Sequence, residues 1–467
     1  MLVASDLAAH PGKSGFALVT SGREAFVDRY AFAAAAQKTI DVQYFLWNAD
    51  STGRHLLAAL LDAADRGVRV RILLDDLHLE GKDSGLAVLA AHRNIELRLF
   101  NPFDWRVSHL PDFLFDFARI DHRMHNKAFI VDNAVAIVGG RNIGDPYFSA
   151  DEQANFRDLD LFAVGPIVQQ VSANFDDFWN SQWSRSIGSL DYDRPSPDEV
   201  EQLVARLKDK IAEDRTFPFA DALAPKRLDA LVQGLPRRLV WGEAQLLADL
   251  PDKPQTSEPG VLDQLRSEIG GTIHTSLVIE SAYFIPADPG VEQLCNLRRR
   301  NVEIEVLTNS ATTNDELGAY AGYEKYRKGL LRCGVKLYEL RPNAGFINEQ
   351  SRWLSGRSTA ELHTKAIVFD DREVLIGSFN LDPRSKNLNT EMAVLIDSPA
   401  LAAKVTGFIR TGMALKNAYE LSLDGGSIVW TAEDQGETVR LGHEPDLGFW
   451  RSLGVDILSL LPIEGQL

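Results

Sequence analysis

Two spacings of apolar residues alternate along this chain. Arg23 to Lys38 carries the helical spacing and ends in a small-residue run, Ala33 to Ala36, and the short apolar run Ile40 to Trp47 predicts a strand after it. A helix is predicted again over His55 to Arg66, with Leu56, Leu57, Leu60 and Leu61 on its apolar face. Val68 to Asp76 then predicts a strand ending in two carboxylates, Ser84 to His92 a helix, and Ile95 to Phe100 a further strand. Strands separated by helices require crossover connections, which predict a parallel sheet covered by helices.

The same order returns in the second half. Leu277 to Ile285, Val302 to Thr308 and Val335 to Leu340 predict strands, with helices Val291 to Arg300 and Glu324 to Cys333 between them. Matched positions keep a nearly constant offset: Tyr44 and Tyr283 stand 239 apart, Gly67 and Asn301 234, Ile95 and Val335 240. A repeat of this kind is an internal duplication. The expected fold is α/β: two duplicated α/β/α domains with mixed, largely parallel sheets flanked by helices, related by a pseudo-two-fold axis. Residues 1–183 and 260–467 are assigned to the two domains. Residues 184–259, with a charged helix (Val200 to Asp214) and Pro-rich turns up to Pro254, read as an inter-domain helical linker.

Composition narrows the partners more than the fold. The 467 residues are 45% hydrophobic and 25% charged, ordinary for a globular chain with room for more than one core. A formal charge of −17 argues against a protein that holds nucleic acid by bulk electrostatics, and an anionic lipid surface would repel it. Cys295 and Cys333 are too few for a disulfide framework and are expected as buried reduced thiols. The first residues lack a signal peptide's charged start and apolar core, and no run approaches ~18 uninterrupted apolar residues. A cytoplasmic protein is expected.

The chemistry is concentrated in one pattern that occurs twice. His125-Asn-Lys127, followed by Asp132 and by Gly139-Gly140-Arg141-Asn142, matches His363-Thr-Lys365, followed by Asp370 and by Gly377-Ser378-Phe379-Asn380. A lone His-x-Lys would be a surface accident. Two copies 238 residues apart, each with the same spacing from aspartate to glycine turn, are not. Strand alternation aims each histidine and lysine into the same space, where a phosphate could sit.

This paired pattern resembles the phospholipase D superfamily over essentially the whole chain. The resemblance implies one active site between the halves, with His125 and His363 as nucleophile and general acid and Lys127 and Lys365 as phosphate ligands. Asn142 and Asn380 complete the clamp, and neither a metal nor another cofactor is implied. Asp158, 33 residues after His125, and Glu391, 28 after His363, fit the carboxylates that orient the histidines. Asp132 and Asp370 are expected to be structural, closing the turn after each motif strand. Asp145-Pro146 and Asp382-Pro383 look like helix N-cap pairs whose amides assist the phosphate. The first half carries Gly140 where the second has Ser378, so a hydroxyl contact to phosphate is expected on one side only.

Within the superfamily, Val138 to Phe148, Leu388 to Met392, Val42 to Trp47 and Leu461-Pro-Ile-Glu464 resemble the C-type branch of bacterial cardiolipin synthases. That branch implies phosphatidyl transfer between phospholipids, phosphatidylglycerol and phosphatidylethanolamine, through a phosphatidyl-histidine. It also implies a peripheral position on the inner membrane, with no nucleic acid as partner. A lipid hydrolase sharing every catalytic residue is the alternative, and a nuclease a more distant one. Phe103, Trp105, Leu110, Phe113, Leu114, Phe115 and Phe117 make Asn101 to Ile120 too apolar for a bare loop. Either core packing or contact with lipid accounts for them. Phe449, Trp450, Leu453, Ile457, Leu460 and Leu461 fall at helical spacing near the C-terminus and suggest an interfacial or docking helix. Phe346 and Trp353 are weaker candidates for the rim.

Overall fold

The computed structural model describes residues 3–445 apart from 107, 191–195, 215–216, 270, 272, 315 and 346–357. The C-terminal apolar segment, Phe346 and Trp353 therefore lie outside the described residues.

In the first half, Thr39–Tyr44, Arg69–Asp75 and Ile95–Phe100 lie parallel, side by side. Helices Gly22–Ala35 and Ser51–Asp65 bury Phe26, Leu56 and Leu60 in one core with Val42, Ile72 and Leu97. The motif strand Ala128–Val131 pairs antiparallel with Thr39–Tyr44 and turns into Val135–Gly139, which pairs with Asp160–Val164. The second half repeats this: Ser276–Ser281, Glu303–Asn309 and Lys336–Leu340 are parallel, and Lys365–Phe369, Glu373–Gly377 and Met392–Asp397 add the antiparallel part.

The stretch read as a linker does more than connect. Besides helices Pro197–Glu213 and Pro225–Gly234 it contributes the strand Val240–Ala248, whose first residues pair with Ser14–Val19 and whose remainder pairs with Met392–Asp397. This one strand joins the two half-sheets. At the change of partner stands Gly242, where an added Cβ would lie 2.7 Å from the Asp397 carbonyl oxygen, so only glycine permits the approach. Ala154–Arg157 and Thr359–Leu362 pair in parallel between the halves, and Arg157 donates to buried Glu280 at 2.8 Å. Phe175 of helix Pro166–Asn180 and Val405 of helix Pro399–Met413 belong to one core shared by both halves. The active-site walls are thus parts of a single packed body.

Asp132 and Asp370 open three-residue turns at φ 53° and 51°. Their carboxylates accept from the amides of Lys38 (2.7 Å) and Thr39 (2.9 Å), and of Thr275 (2.7 Å) and Ser276 (3.0 Å), where the neighbouring strand begins. For Asp370, burial acts to raise the carboxyl, but these amides win and hold it below the ordinary range.

Two expectations are corrected. Cys295 and Cys333 are neither fully buried nor reduced. Helices Ala287–Arg299 and Leu317–Arg332 lie side by side, bringing the two Cα atoms to 5.4 Å in a disulfide. Asp145 does not cap the short helix Asp145–Phe148 but lies inside it. Its carboxylate instead accepts from the Ser51 and Thr52 amides, capping helix Ser51–Asp65 from across the fold. Asp382 does cap Pro383–Asn387, accepting from the Ser385 amide at 2.7 Å.

Candidate active site

Each motif histidine is placed by its backbone before its side chain does anything. The His125 amide donates to the Thr390 carbonyl at 2.9 Å, and the His363 amide to the Arg157 carbonyl at 2.8 Å. Thr390 and Arg157 immediately precede Glu391 and Asp158. The backbone of each histidine is therefore stitched to the carboxylate-bearing strand of the opposite half.

The side chains follow that stitching. His125 Nδ1 lies 2.9 Å from both oxygens of Glu391, and His363 Nδ1 lies 2.7 Å from Asp158 Oδ2. Each carboxylate thus serves the histidine of the other half, not the one it follows in the sequence. Held this way, a neutral imidazole carries its proton on Nδ1 and its lone pair on Nε2.

Lys127 and Lys365 are buried, at 1% and 4% exposure, and each ammonium donates to its own histidine's carbonyl at 2.6 Å. Burial is the largest influence on Lys127 and lowers its pKa well below the usual value. Glu391 opposes that shift, and Lys365 adds to it. The His125 imidazolium is likewise disfavoured, first by burial, then by Lys127, Lys365 and Arg384, with a backbone hydrogen bond to Ser378 pulling the other way. Both lysines therefore act on one imidazole, so the two motifs converge. The two carboxyl groups are raised, chiefly by burial. Arg141 and Lys365 favour ionised Asp158, and Lys127 and the Ser378 hydroxyl favour ionised Glu391.

The Gly140/Ser378 difference has a local cause. Asp158 and Glu391 occupy equivalent register positions, two residues before the partners of Gly139 and Gly377. A Cβ on Gly140 would lie 2.4 Å from Asp158 Oδ1, so no side chain fits there. Ser378 instead spends its hydroxyl on Glu391, and Ser385 donates to the other Glu391 oxygen at 2.9 Å. The hydroxyl expected at the phosphate is engaged with a carboxylate.

The asparagines also differ. Asn142 accepts from the Leu46 amide at 3.2 Å and donates to the Tyr147 hydroxyl at 3.1 Å. The Asn380 carbonyl oxygen is buried with no hydrogen-bond partner among the described residues, the state of a polar atom awaiting a ligand. Phe45 stands 5.2 Å from the His125 ring, and Tyr147 and Phe156 each 5.2 Å from His363, giving the site aromatic walls.

Sequence reasoning missed a support from the linker. Asp249 accepts from the Glu391 amide at 2.8 Å and from Lys253 at 2.7 Å, and Lys253 also donates to the carbonyls of Ser385 (2.7 Å) and Asn389 (2.8 Å). No local pattern marks either residue. Burial raises the Asp249 carboxyl to about 6 despite Lys253.

Comparison with known proteins gives a consistent set of likenesses. Residues 31–179 and 266–411, one motif in each span, match the family described as "Cardiolipin synthase, PLD-like domain". The chain is 40% identical to cardiolipin synthase C of Escherichia coli strain K12, covering 97% of this chain and 96% of that one. It is 35% identical to an uncharacterised protein of Helicobacter pylori strain J99, covering 99% and 91%. Among solved structures, phosphatidylserine synthase of Haemophilus influenzae Rd KW20 superposes with a TM-score of 0.61 at 16% identity, covering 97% and 95%, a likeness of fold.

Proposed function

Because the chain belongs to the cardiolipin synthase family of phospholipase D-like proteins, we propose that it makes cardiolipin by phosphatidyl transfer, with phosphatidylglycerol as acceptor and phosphatidylethanolamine as donor. The observation that carries this reading is the crossed pair of histidine–carboxylate contacts beside two buried lysines.

The reaction needs one imidazole neutral and the other protonated. By the family resemblance His125 is the nucleophile, and burial and the surrounding cations, which disfavour its protonation, agree with that role. His363 is the acid, beside an Asp158 that Arg141 and Lys365 help keep ionised. His125 Nε2 attacks phosphorus, a P–N bond forms, the P–O bond to the head-group alcohol breaks, and His363 gives that oxygen its proton. The acceptor hydroxyl then loses its proton to His363 and attacks phosphorus, releasing His125. Lys127, Lys365, Asn142 and Asn380 hold the phosphoryl oxygens throughout.

Lipid has to reach this site, and segment 105–117 supplies the contact. Trp105, Leu110, Phe113, Leu114, Phe115 and Phe117 are exposed, Phe115 at 87%, whereas Asp112 is buried against Arg119 and the half-exposed Asp116 pairs with the same guanidinium. A cluster of exposed apolar side chains whose charged neighbours are paired suits a bilayer interface. Among the described residues no helix is long and apolar enough to cross a membrane, and attachment is peripheral.

Purified protein given vesicles of phosphatidylethanolamine and phosphatidylglycerol should release ethanolamine and form cardiolipin without added metal. Phosphatidic acid as the sole product, by mass spectrometry, would replace this reading with hydrolysis. Phe115→Ser with Leu114→Ser should weaken vesicle binding at least tenfold, since each side chain withdrawn from lipid is worth about 1.5–3 kcal/mol at full burial. Turnover of a monomeric short-chain lipid should fall far less. Unchanged sedimentation with vesicles would remove the segment from the membrane contact.

A further inference from the structure

The duplication exposes one place where the halves differ. In the first, helices Gly22–Ala35 and Ser51–Asp65 close over the sheet and the layer beneath is filled. Arg29 bridges Asp160 at 2.9 Å and Tyr44 at 3.0 Å, Arg141 reaches Asp160 at 3.4 Å, and Phe26 packs on Phe148. In the second half the corresponding helix, Val261–Ile269, is shorter. Phe379 stands where Arg141 does, and Ala393 takes the register position of Asp160. What remains is a cleft of about 330 Å³, lined by Leu262, Leu265, Ile279, Leu294, Phe369 and Phe379 among others.

The cleft borders the second motif through Phe379. Phe379 lies between Ser378, which holds Glu391, and Asn380, whose carbonyl oxygen has no partner among the described residues. On Lys365–Phe369 alternate side chains share a face, so Lys365, Ile367 and Phe369 follow one another at about 7 Å per step. Ile367 and Phe369 are opposed by Ile279 and Leu277, and all four line the cleft. A chain leaving a phosphate at Lys365 therefore meets apolar surface at once.

We infer that this cleft takes one acyl chain of a lipid substrate while the lipid's phosphate sits between the motifs. The identity of the ligand rests on the phosphatidyl-transfer reading. The chemistry suits the two ends of such a lipid: Lys365 for the phosphate, and beyond it on the same strand face walls of leucine, isoleucine and phenylalanine for the chain. The size also fits. An apolar cavity of about 150 Å³ accepts a six-carbon ring, so this one has room for roughly a dozen carbons. In the first half the arginine–aspartate network fills the equivalent position.

The test separates binding from turnover. A fluorescent polyene fatty acid is titrated into the full-length protein and into Leu262→Trp and Leu294→Trp, which fill the cleft from two sides. Saturable binding by the parent and at least tenfold weaker binding by both variants are expected. In the same variants the ratio of long-chain to hexanoyl phosphatidylglycerol turnover should drop about tenfold. Binding that survives both variants but is lost with Phe115→Ser would place the chain on the exposed apolar segment around Phe115 and overturn the inference. So would an unchanged chain-length ratio in variants that still turn over hexanoyl lipid. Fatty-acid binding that depends on the cleft in a protein making no cardiolipin would leave the cleft standing and remove the transferase reading instead.

Discussion

Alanine in place of His125 is expected to reduce turnover by at least about 10⁴-fold, the scale on which removing a covalent nucleophile acts. Its Nδ1 lies 2.9 Å from both oxygens of Glu391. His363→Ala should cost a comparable factor by removing the proton donor, and the double variant should be little worse than either, because the two act as one unit. Circular dichroism should show both folded, since the segment around His125 is held by its own backbone and by Met124, whose amide donates to Asp75 at 2.8 Å. With phosphatidylethanolamine labelled in its phosphatidyl group, His363→Asn should retain phosphatidyl on the protein and His125→Asn should not. Retention on His125→Asn alone would exchange the two roles.

The crossing of the carboxylates leads to the second large effect. Glu391→Gln keeps the shape but removes the charge that orients His125, and a loss of about 10²- to 10⁴-fold is expected, by analogy with amide replacement of a triad aspartate. The partner is decided in the trapping variant. In a His363→Asn background, Glu391→Gln should slow formation of the phosphatidyl-enzyme sharply. Asp158→Asn should add little, because the imidazole it serves is already gone. The opposite pattern would mean that each carboxylate serves its own half. The pH profile carries the same information. Burial and neighbouring cations depress the His125 pKa, so the acid limb of kcat/KM should fall below the ordinary imidazole value of about 6.5. A carboxylate favours the imidazolium, so its removal in Glu391→Gln should move that limb to still lower pH.

Much of this was legible along the chain because it is local. Alternation predicts the strands, the helical spacing predicts the helices between them, and the repeat of His-x-Lys with its glycine turn marks the candidate site. Asp132 and Asp370 were also within reach, since an aspartate closing a turn acts on amides of the adjacent strand. The strand Val240–Ala248 was not. It alternates weakly, and its place depends on two edges, Ser14–Val19 and Met392–Asp397, that only the folded halves bring near each other. Asp249 and Lys253 were hidden for the same reason.

The Glu361–Glu391 motif shows where the division falls. Its residue types and spacings, read from sequence, determined that a histidine and a lysine point into one space on a strand followed by a glycine turn. Strand geometry has a period of two and needs no partner to set it. Only the tertiary structure decided that His363 belongs with Asp158 and His125 with Glu391, that Ser378 serves the carboxylate, and that a cleft opens behind Phe379. The crossed pairing depends on how two copies of one unit pack against each other, and contacts between residues more than two hundred positions apart leave no periodic trace in the chain. The other two depend on how the strands and helices of the second half close on one another.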